Sequence, residues 1–256
     1  MSTRKTRQIV DVSVIIPAYN SEDTLVRAVD SVQAQTHLPK EILIYDDASV
    51  DRTRECIEEL AQTYRNVCPM FGAKNRGVGC ARRALLEAAT GQYFAFLDAD
   101  DAWSPEKIER QLGTLVDGRA DIVASAYEIK DASGTLLGTR KPPREVTYAL
   151  LLLTNYIATS TAIVRADLVG ARDMPLLRSR EDYGYWIQLF KRNPGLRCRI
   201  VDEVLMVYER RAGSVSSSTW RNLRASYGLF RDVGEYSRVT AAALTLANAG
   251  VRIFRA

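Results

Sequence analysis

Three aspartates stand within four positions at the end of an apolar run, in the segment YFAFLDADDAW (93–103). Carboxylates this close repel one another and raise one another's pKa unless a cation lies between them. Either they point into water, or they hold a metal ion together with a ligand of that metal. The Asp98-x-Asp100 pair suits Mg²⁺ or Mn²⁺, because such an ion often completes its shell with water and substrate phosphates. A sugar nucleotide or another diphosphate would fit a site of this kind.

Two further polar clusters follow apparent strands in the same way. Tyr19 comes after the apolar run VSVII (12–16), and Asp46-Asp47 closes a second such run. In an open α/β sheet, ligands bind outside the carboxyl ends of the strands, where clusters of this kind meet. Each cluster alone is more often a helix cap than a ligand site. Their shared position after strands predicts one crevice to which all three contribute.

The elements that must position these residues alternate along the first half of the chain. Apolar, β-branched runs predict strands, and apolar residues every three to four positions predict helices between them. This alternation indicates an α/β fold, with a Rossmann-like mixed sheet that is mostly parallel and flanked by helices. The predicted strands are VSVII (12–16), EILIYDD (41–47), VCPMFG (67–72) and YFAFL (93–97).

After Ala120 the pattern changes. Two paired strands are predicted in DIVASAYEI and GTLLGTR, which a turn joins. The segment LRCRIVDEVLMVYER (196–210) resembles a hairpin that returns to the sheet. Residues from about Ser217 onward predict tail helices.

Composition excludes several classes of protein. With 46% hydrophobic and 26% charged residues, the 256-residue chain has the composition of an ordinary globular protein. The four cysteines show no metal-like spacing, and a single histidine, His37, rules out a site built from several imidazoles. We see no secretory signal and no apolar run long enough to cross a bilayer, so we expect a soluble, cytoplasmic protein.

The charge of the chain is uneven. From Met206 onward eight arginines stand against three acids, a charge of +5, which leaves the first 205 residues at −1. A slightly acidic body argues against nucleic-acid binding. The basic tail suggests an acidic partner, so peripheral contact with the inner face of the cell membrane is one expectation. A solvated helical face, packing on the body and a homodimer interface are the alternatives.

Five motifs resemble, in order and spacing, family 2 of the glycosyltransferases, which have the GT-A fold. They span about residues 10–210, and the ordered set is much more specific than any one of them. The motifs are VSVIIPAYN (12–20), EILIYDDASVDRT (41–53), NRGVGCARR (75–83), FLDADD (96–101) and RED (180–182). The resemblance implies transfer of a sugar from a nucleotide-sugar donor.

The resemblance also implies a donor site after the first strands. Asp47 would accept a hydrogen bond from a uracil ring, which suits an ionised carboxylate, and Asp46 lies beside it in sequence. Asp98 would contact the ribose or the metal, and Asp100 would bind the Mn²⁺ or Mg²⁺ that holds the donor diphosphate. Asp101 could instead cap a helix. The remaining residues implied to bind the nucleotide are Pro17, Ala18, Tyr19, Asn75, Gly77 and Arg82.

The catalytic base implied by the resemblance is Asp182, in RSREDYGYW. A sugar hydroxyl is a poor nucleophile until its proton leaves, so a carboxylate within hydrogen-bond reach would serve as base. Family 2 enzymes invert, so the acceptor would attack in one displacement without a glycosyl-enzyme intermediate. Without the other motifs, Glu181 and Asp182 would be interpreted as acids that favour a helix N-terminus.

The expected enzyme is therefore an inverting, metal-dependent, non-processive glycosyltransferase. It would use a UDP-sugar, with dTDP or GDP left open, and a glycan or lipid-linked saccharide acceptor of a cell-surface glycan pathway. None of the three tryptophans ends the Q-x-x-R-W motif of processive relatives. The chain lacks the C-terminal histidine with which some relatives complete the metal site. Arg210 or Arg211 could pair with the donor phosphates or lie on the surface.

The expected domains are a GT-A catalytic domain at 1–216 and a helical C-terminal tail at 217–256. Within the catalytic domain, the nucleotide-binding half spans about 10–120 and the acceptor half about 120–216.

Other classes of function compete with this interpretation. A phosphatase of the haloacid dehalogenase type also has an Asp-x-Asp pair, but on its first strand and with Thr or Val where Ala102 stands here. A dinucleotide-binding loop needs a third glycine that GVGCAR lacks. A non-catalytic nucleotide-sugar-binding or scaffold subunit would keep Asp47 and Asp100 but would not need Asp182.

Overall fold

One mixed sheet forms the centre of the protein in the computed structural model, which describes residues 7–177, 179–210 and 219–255. In chain order its strands are β1 Gln8–Ala18, β2 His37–Asp46, β3 Val67–Phe71, β4 Tyr93–Phe96, β5 Ala102–Trp103, β6 Ile122–Asp131, β7 Leu136–Arg140, β8 Glu145–Val146, β9 Ile163–Arg165 and β10 Cys198–Arg210. The main path of the sheet has the order β3-β2-β1-β4-β9-β6-β10-β5, while β7 pairs with β6 and β8 with β10.

Helices flank this sheet on both faces. In chain order they are α1 Leu25–Gln33, α2 Thr53–Thr63, α3 Val78–Ala88, α4 Lys107–Val116, α5 Tyr148–Leu153, α6 Glu181–Arg192, α7 Thr219–Gly228 and α8 Arg238–Arg255. Helices α1, α2 and α4 share one apolar core with the sheet, and α3, α5 and α6 share the core on the other face.

Strands β1 to β4 form the parallel half of the sheet that the sequence predicts. Strand β1 lies between β2 and β4, and all three run in the same direction. Alternate residues of β1 face opposite layers: Val14 and Ile16 pack into one core, and Ile15 packs into the other. Burial on both faces explains the aliphatic residues of β1, and the one buried polar residue among them, Ser13, donates its hydroxyl to Glu41. The carboxyl ends of β1, β2 and β4 therefore lie at one edge.

Strand β9 separates this half from a second one. It runs antiparallel to β4 on one side and to β6 on the other, and β10 runs parallel to β6. The hairpin predicted at 196–210 is wrong, because β10 is one strand with register shifts between Val201 and Met206. The long edge of β6 allows pairing to continue past Asp202 and Glu203, and the extra residues are accommodated as a bulge.

The predicted tail helices form and pack back onto the body. Phe230, in the π-helical turn Leu229–Val233 after α7, shares a small core with Tyr183 of α6 and Ala241 of α8. No helix within the described ranges is long and apolar enough to span a membrane. The division at residue 216 stays a prediction, because residues 211–218 lie outside the described part of the chain.

Candidate active site

A cleft of ≈ 340 Å³ opens beyond the carboxyl end of β4, between the second half of β6 and the start of α6. Sequence reasoning placed Arg82, Asp98 and Asp182 in separate motifs, and the fold brings all three into this cleft. Its charged and aromatic lining consists of Arg82, Asp98, Asp101, Arg180, Glu181, Asp182, Tyr127 and Tyr208.

Arg82 joins the two acidic sides of the cleft. Its side chain, on α3, is only 3% exposed, and it donates to Asp98 Oδ1 at 2.5 Å and to Glu181 Oε1 at 3.0 Å. Burial lowers the pKa of the guanidinium, but the charges of Asp98 and Glu181 outweigh burial and raise it above its ordinary value. A buried cation is tolerated here because it is paired twice. Arg82 therefore connects the aspartates after β4 with the acids at the start of α6.

Asp101 is the most deeply buried aspartate of the group after β4. It is 3% exposed, and burial, together with the charges of Asp98 and Asp100, raises its pKa well above the ordinary value. Its Oδ1 atom has no hydrogen-bond partner in the described part of the chain. Asp101 lies in the lining of the cleft rather than at a helix cap. The repulsion expected from the sequence is therefore present.

A divalent cation is the ligand that the sequence predicts for the aspartates at this end of the cleft. Among the described residues, no group of three or more histidine, cysteine, aspartate or glutamate side chains is arranged to hold a metal ion. Mg²⁺ often takes only one or two protein carboxylates and completes its shell with water and phosphates. Asp98 lies in the lining of the cleft and Asp100, two residues further on, does not, while the neighbouring Asp101 leaves one buried carboxyl oxygen without a partner among the described residues.

Asp182 and Glu181 form the first turn of α6. Burial raises the pKa of both carboxyls, and the positive charge of Arg82 opposes that rise. Asp182 is not fully buried, since part of it stays accessible from the cleft. A carboxylate with a raised pKa that a ligand can reach has the properties of a general base.

The acids that follow β2 accept hydrogen bonds from backbone amides of the surrounding loops. The Asp47 carboxylate accepts from the amide of Arg76 at 2.9 and 3.1 Å and from the amide of Gly77 at 2.6 Å. Gly77 has φ 88°, a conformation that glycine adopts without strain, and α3 begins directly after it. Asp46 accepts from the Ser49 amide at 3.0 Å. Both acids therefore shape the loops at the edge of the sheet.

The other predicted nucleotide-binding residues lie at this edge, outside the lining of the cleft. Pro17 and Ala18 end β1, and the Ala18 carbonyl accepts from the Asp47 amide at 2.9 Å. Tyr19 is 47% exposed, and Asn75 is exposed on the loop before α3. Of the clusters predicted to share one crevice, the aspartates after β4 contribute Asp98 and Asp101 to the lining of this cleft. Arg210 is exposed at the end of β10, and Arg211 lies outside the described residues.

Sequence reasoning missed the other half of the lining. Tyr127 and Ile129 of β6, with Met206 and Tyr208 of β10, line the cleft beside the acids. Residues two apart in a strand share a face, so this alternation was a usable signal. Arg180 also lines the cleft, and its left-handed backbone (φ 60°) has no sequence signal.

The description "Glycosyl transferase family 2" belongs to the family model that matches residues 13–169, more than half of the chain. The chain belongs to glycosyl transferase family 2. This family member is 31% identical to TuaG of Bacillus subtilis (strain 168), over 87% of this chain and 88% of the relative, and that name places the relative in teichuronic acid biosynthesis. It is 32% identical to WfaP of Escherichia coli, over 87% of this chain and 86% of WfaP. WfaP is named a UDP-Glc:alpha-D-GlcNAc-diphosphoundecaprenol beta-1,3-glucosyltransferase.

Solved structures share the fold of this family 2 protein. S. aureus TarS 1-349 in complex with UDP-GlcNAc matches with a TM-score of 0.71 at 22% identity, over 93% of this chain and 71% of that one. The complex of the same TarS fragment with UDP gives 0.68, over 93% and 70%. These likenesses confirm the predicted GT-A fold.

Proposed function

We propose that this family 2 glycosyltransferase moves one sugar at a time, with inversion, from a UDP-sugar to a hydroxyl of a cell-surface glycan precursor. One observation carries the proposal: a single cleft holds Asp98 and Asp182, and the buried side chain of Arg82 connects their two sides. A donor diphosphate at the first aspartate and an acceptor hydroxyl at the second would then meet in one small volume. Such an arrangement suits direct displacement, because both reactants are held together.

The nucleotide is assigned to the loops at the ends of β1 and β2. An ionised carboxylate offers roughly four acceptor positions, so the three bonds from backbone amides to Asp47 would leave one for a ring N–H of uracil. Because Asp47 is only 2% exposed, the loop before α3 would have to move to admit the base. The other residues proposed to bind the nucleotide at this edge are Asp46, Pro17, Ala18, Tyr19, Asn75 and Gly77. The UDP and UDP-GlcNAc complexes of TarS, and the UDP-Glc in the name of WfaP, support UDP over dTDP or GDP.

Asp98 and Asp100 would hold Mn²⁺ or Mg²⁺. When bound, the cation would neutralise charge on the donor diphosphate and on the departing nucleotide. Arg82 keeps Asp98 in place from the protein side. Burial and the charges of Asp98 and Asp100 raise the pKa of Asp101, and a bound cation would offset the repulsion among the three carboxylates.

Asp182 would take the proton of the acceptor hydroxyl while that oxygen attacks the anomeric carbon from the face opposite the diphosphate. The raised pKa of Asp182 makes it a stronger base than an ordinary aspartate. Glu181 is paired with Arg82 and helps to hold the first turn of α6. One displacement needs no second carboxylate as nucleophile.

The acceptor is proposed to be a glycan or a lipid-linked saccharide. WfaP is named for an acceptor of the second kind, a diphosphoundecaprenol sugar. An enzyme that meets such an acceptor benefits from contact with the inner face of the membrane. The basic tail, with Val239 and Leu246 exposed on α8, would supply that contact, or else the interface of a homodimer.

Calorimetry with UDP, dTDP and GDP, with and without Mn²⁺, tests the donor site. We expect UDP to bind most tightly, to need Mn²⁺, and to lose most of its affinity in Asp100→Ala. Asp131→Ala removes an aspartate from a hairpin turn outside the cleft, so it serves as the control. Absence of nucleotide binding under every condition would contradict the proposal.

Turnover separates an enzyme from a non-catalytic binding subunit. A panel of UDP-sugars, assayed for UDP release with and without saccharide acceptors, should reveal activity in the wild type that Asp182→Asn abolishes. A protein that binds UDP and releases none from any UDP-sugar would favour the scaffold interpretation.

A further inference from the structure

We propose that Asn155 is a positioning residue, which orients the carboxylate of Asp182 toward the acceptor hydroxyl. The inference rests on the proposed role of Asp182 as base. It starts from one contact: the side-chain amide Nδ2 of Asn155 donates to Asp182 Oδ2 at 3.0 Å. The hydroxyl of Thr159 points at the same oxygen from 3.5 Å, a much weaker interaction. Both donors reach the same oxygen of the carboxylate.

The amide of Asn155 is itself held in one orientation. Its Oδ1 atom accepts from the backbone amide of Ile157 at 3.1 Å, and Ile157 is fully buried. Reversing the amide would bring its NH₂ group against that N–H, so Nδ2 has to face Asp182. A side chain with both ends fixed places its partner accurately, because little rotational freedom remains.

Asn155 supports Asp182 from outside the cleft. It is absent from the lining, whereas Thr159 and Asp182 belong to it. Asn155 lies in the irregular segment between α5 and the 3-10 turn Thr159–Thr161. This segment contains the hydrogen-bond donor Asn155, and α6 contains the proposed base Asp182. The bond therefore fixes one element relative to the other at the point of reaction.

The charged surroundings of Asp182 come from three elements. Arg82 on α3 favours the ionised carboxylate, while Asp98 after β4 disfavours it. Glu181 and Tyr183, its neighbours on α6, interact with it as well. Asn155 is uncharged, so removing it changes a directed hydrogen bond without changing the net charge of the cleft.

A carboxyl titration tests the contact. Carbon-13 NMR of the full chain, with the Asp182 signal assigned through Asp182→Asn, should show a higher Asp182 pKa in Asn155→Ala than in the wild type. Asn66→Ala is the matched control: Asn66 is also half-buried and uses both ends of its amide, with Gln33 and Pro39, away from the cleft. An unchanged Asp182 pKa in Asn155→Ala, or an equal shift in the control, would overturn the proposal.

A second variant guards against local unfolding. Asn155→Asp keeps the shape and the acceptor for Ile157 but replaces the donor with a carboxylate. We expect kcat for UDP release to fall at least about tenfold in both variants, with KM for the UDP-sugar unchanged. A shifted titration with unchanged kcat would refute the positioning role. If Asp182→Asn keeps full turnover while Asn155→Ala still shifts the pKa, the base assignment fails and the contact stands.

Discussion

The acids after β2 and the acids of the cleft differ in the groups that donate hydrogen bonds to them. The Asp47 carboxylate accepts hydrogen bonds from two backbone amides, those of Arg76 and Gly77, in the loop that leads into α3. Asp182 accepts from the side chains of Asn155 and Thr159 instead, and burial raises the pKa of both Asp182 and Asp101. The first kind of acid stabilises a loop. The second kind has a raised pKa and can still take part in a reaction. Burial alone does not tell them apart, whereas the source of their hydrogen bonds does.

The largest effect should come from the base. Asp182→Asn removes proton acceptance, so kcat for UDP release should fall by about 10³-fold while UDP affinity, measured by calorimetry, stays the same. Asp117→Asn, exposed at the end of α4, should change neither. A parallel loss of UDP affinity in Asp182→Asn would place this acid in the donor site instead. Asp182 would then no longer differ in role from Asp47.

The pH dependence of turnover comes next. A base works only when deprotonated, so the rate should fall about tenfold for each pH unit below the pKa of Asp182. Because burial raises that pKa, the acidic limb should lie above the ordinary aspartate value of 3.8. Rates of UDP release at saturating UDP-sugar across the acid range measure it. A rate that stays flat down to pH 4 would contradict the assignment.

Replacing Asp47, the acid that stabilises the loop before α3, should change both the free energy of unfolding and the affinity for UDP. Asp47→Asn replaces an ionised acceptor of two backbone amides, which should cost about 2 to 3 kcal/mol in the free energy of unfolding. UDP binding should weaken as well, because the loop before α3 loses its anchor.

Asp131→Asn is the matched variant from the other half of the sheet, because Asp131 accepts from the amides of Ser133 and Thr135 in a hairpin turn. Urea unfolding and calorimetry on both variants should show a loss of stability in each and a loss of UDP affinity in Asp47→Asn alone. Equal UDP affinities would remove Asp47 from the donor site.

The smallest effect concerns the join between tail and body. Asn248 of α8 is 1% exposed and donates to the Leu153 carbonyl at 2.9 Å and to the Tyr183 hydroxyl at 3.3 Å. Asn248→Ala should lower the free energy of unfolding by about 1 to 2 kcal/mol. Leu246→Ala, on the exposed face of the same helix, should stay within about 0.5 kcal/mol. Equal effects in urea unfolding would mean that the tail is not anchored through Asn248.

The parallel half of the fold could be predicted almost completely. The central strands β1 and β4 are buried on both faces, so their apolar runs are unambiguous, whereas the edge strand β3 is only partly buried and gives a weaker signal. The segment 196–210 was misread because Asp202 and Glu203 look like a turn. Only the neighbouring strand β6 decides whether the chain turns or bulges there.

The chain itself determined which acids exist, where the strands that carry them end, and which family motifs they form. Asp98 and Asp182 were identified this way, although 84 positions separate them in the sequence. Only the tertiary structure decided which side chains meet. It places Arg82 between the two sides of the cleft and Asn155 within hydrogen-bond distance of Asp182. Strand ends follow from local periodicity, whereas a single hydrogen bond between distant loops depends on the packing of every element between them.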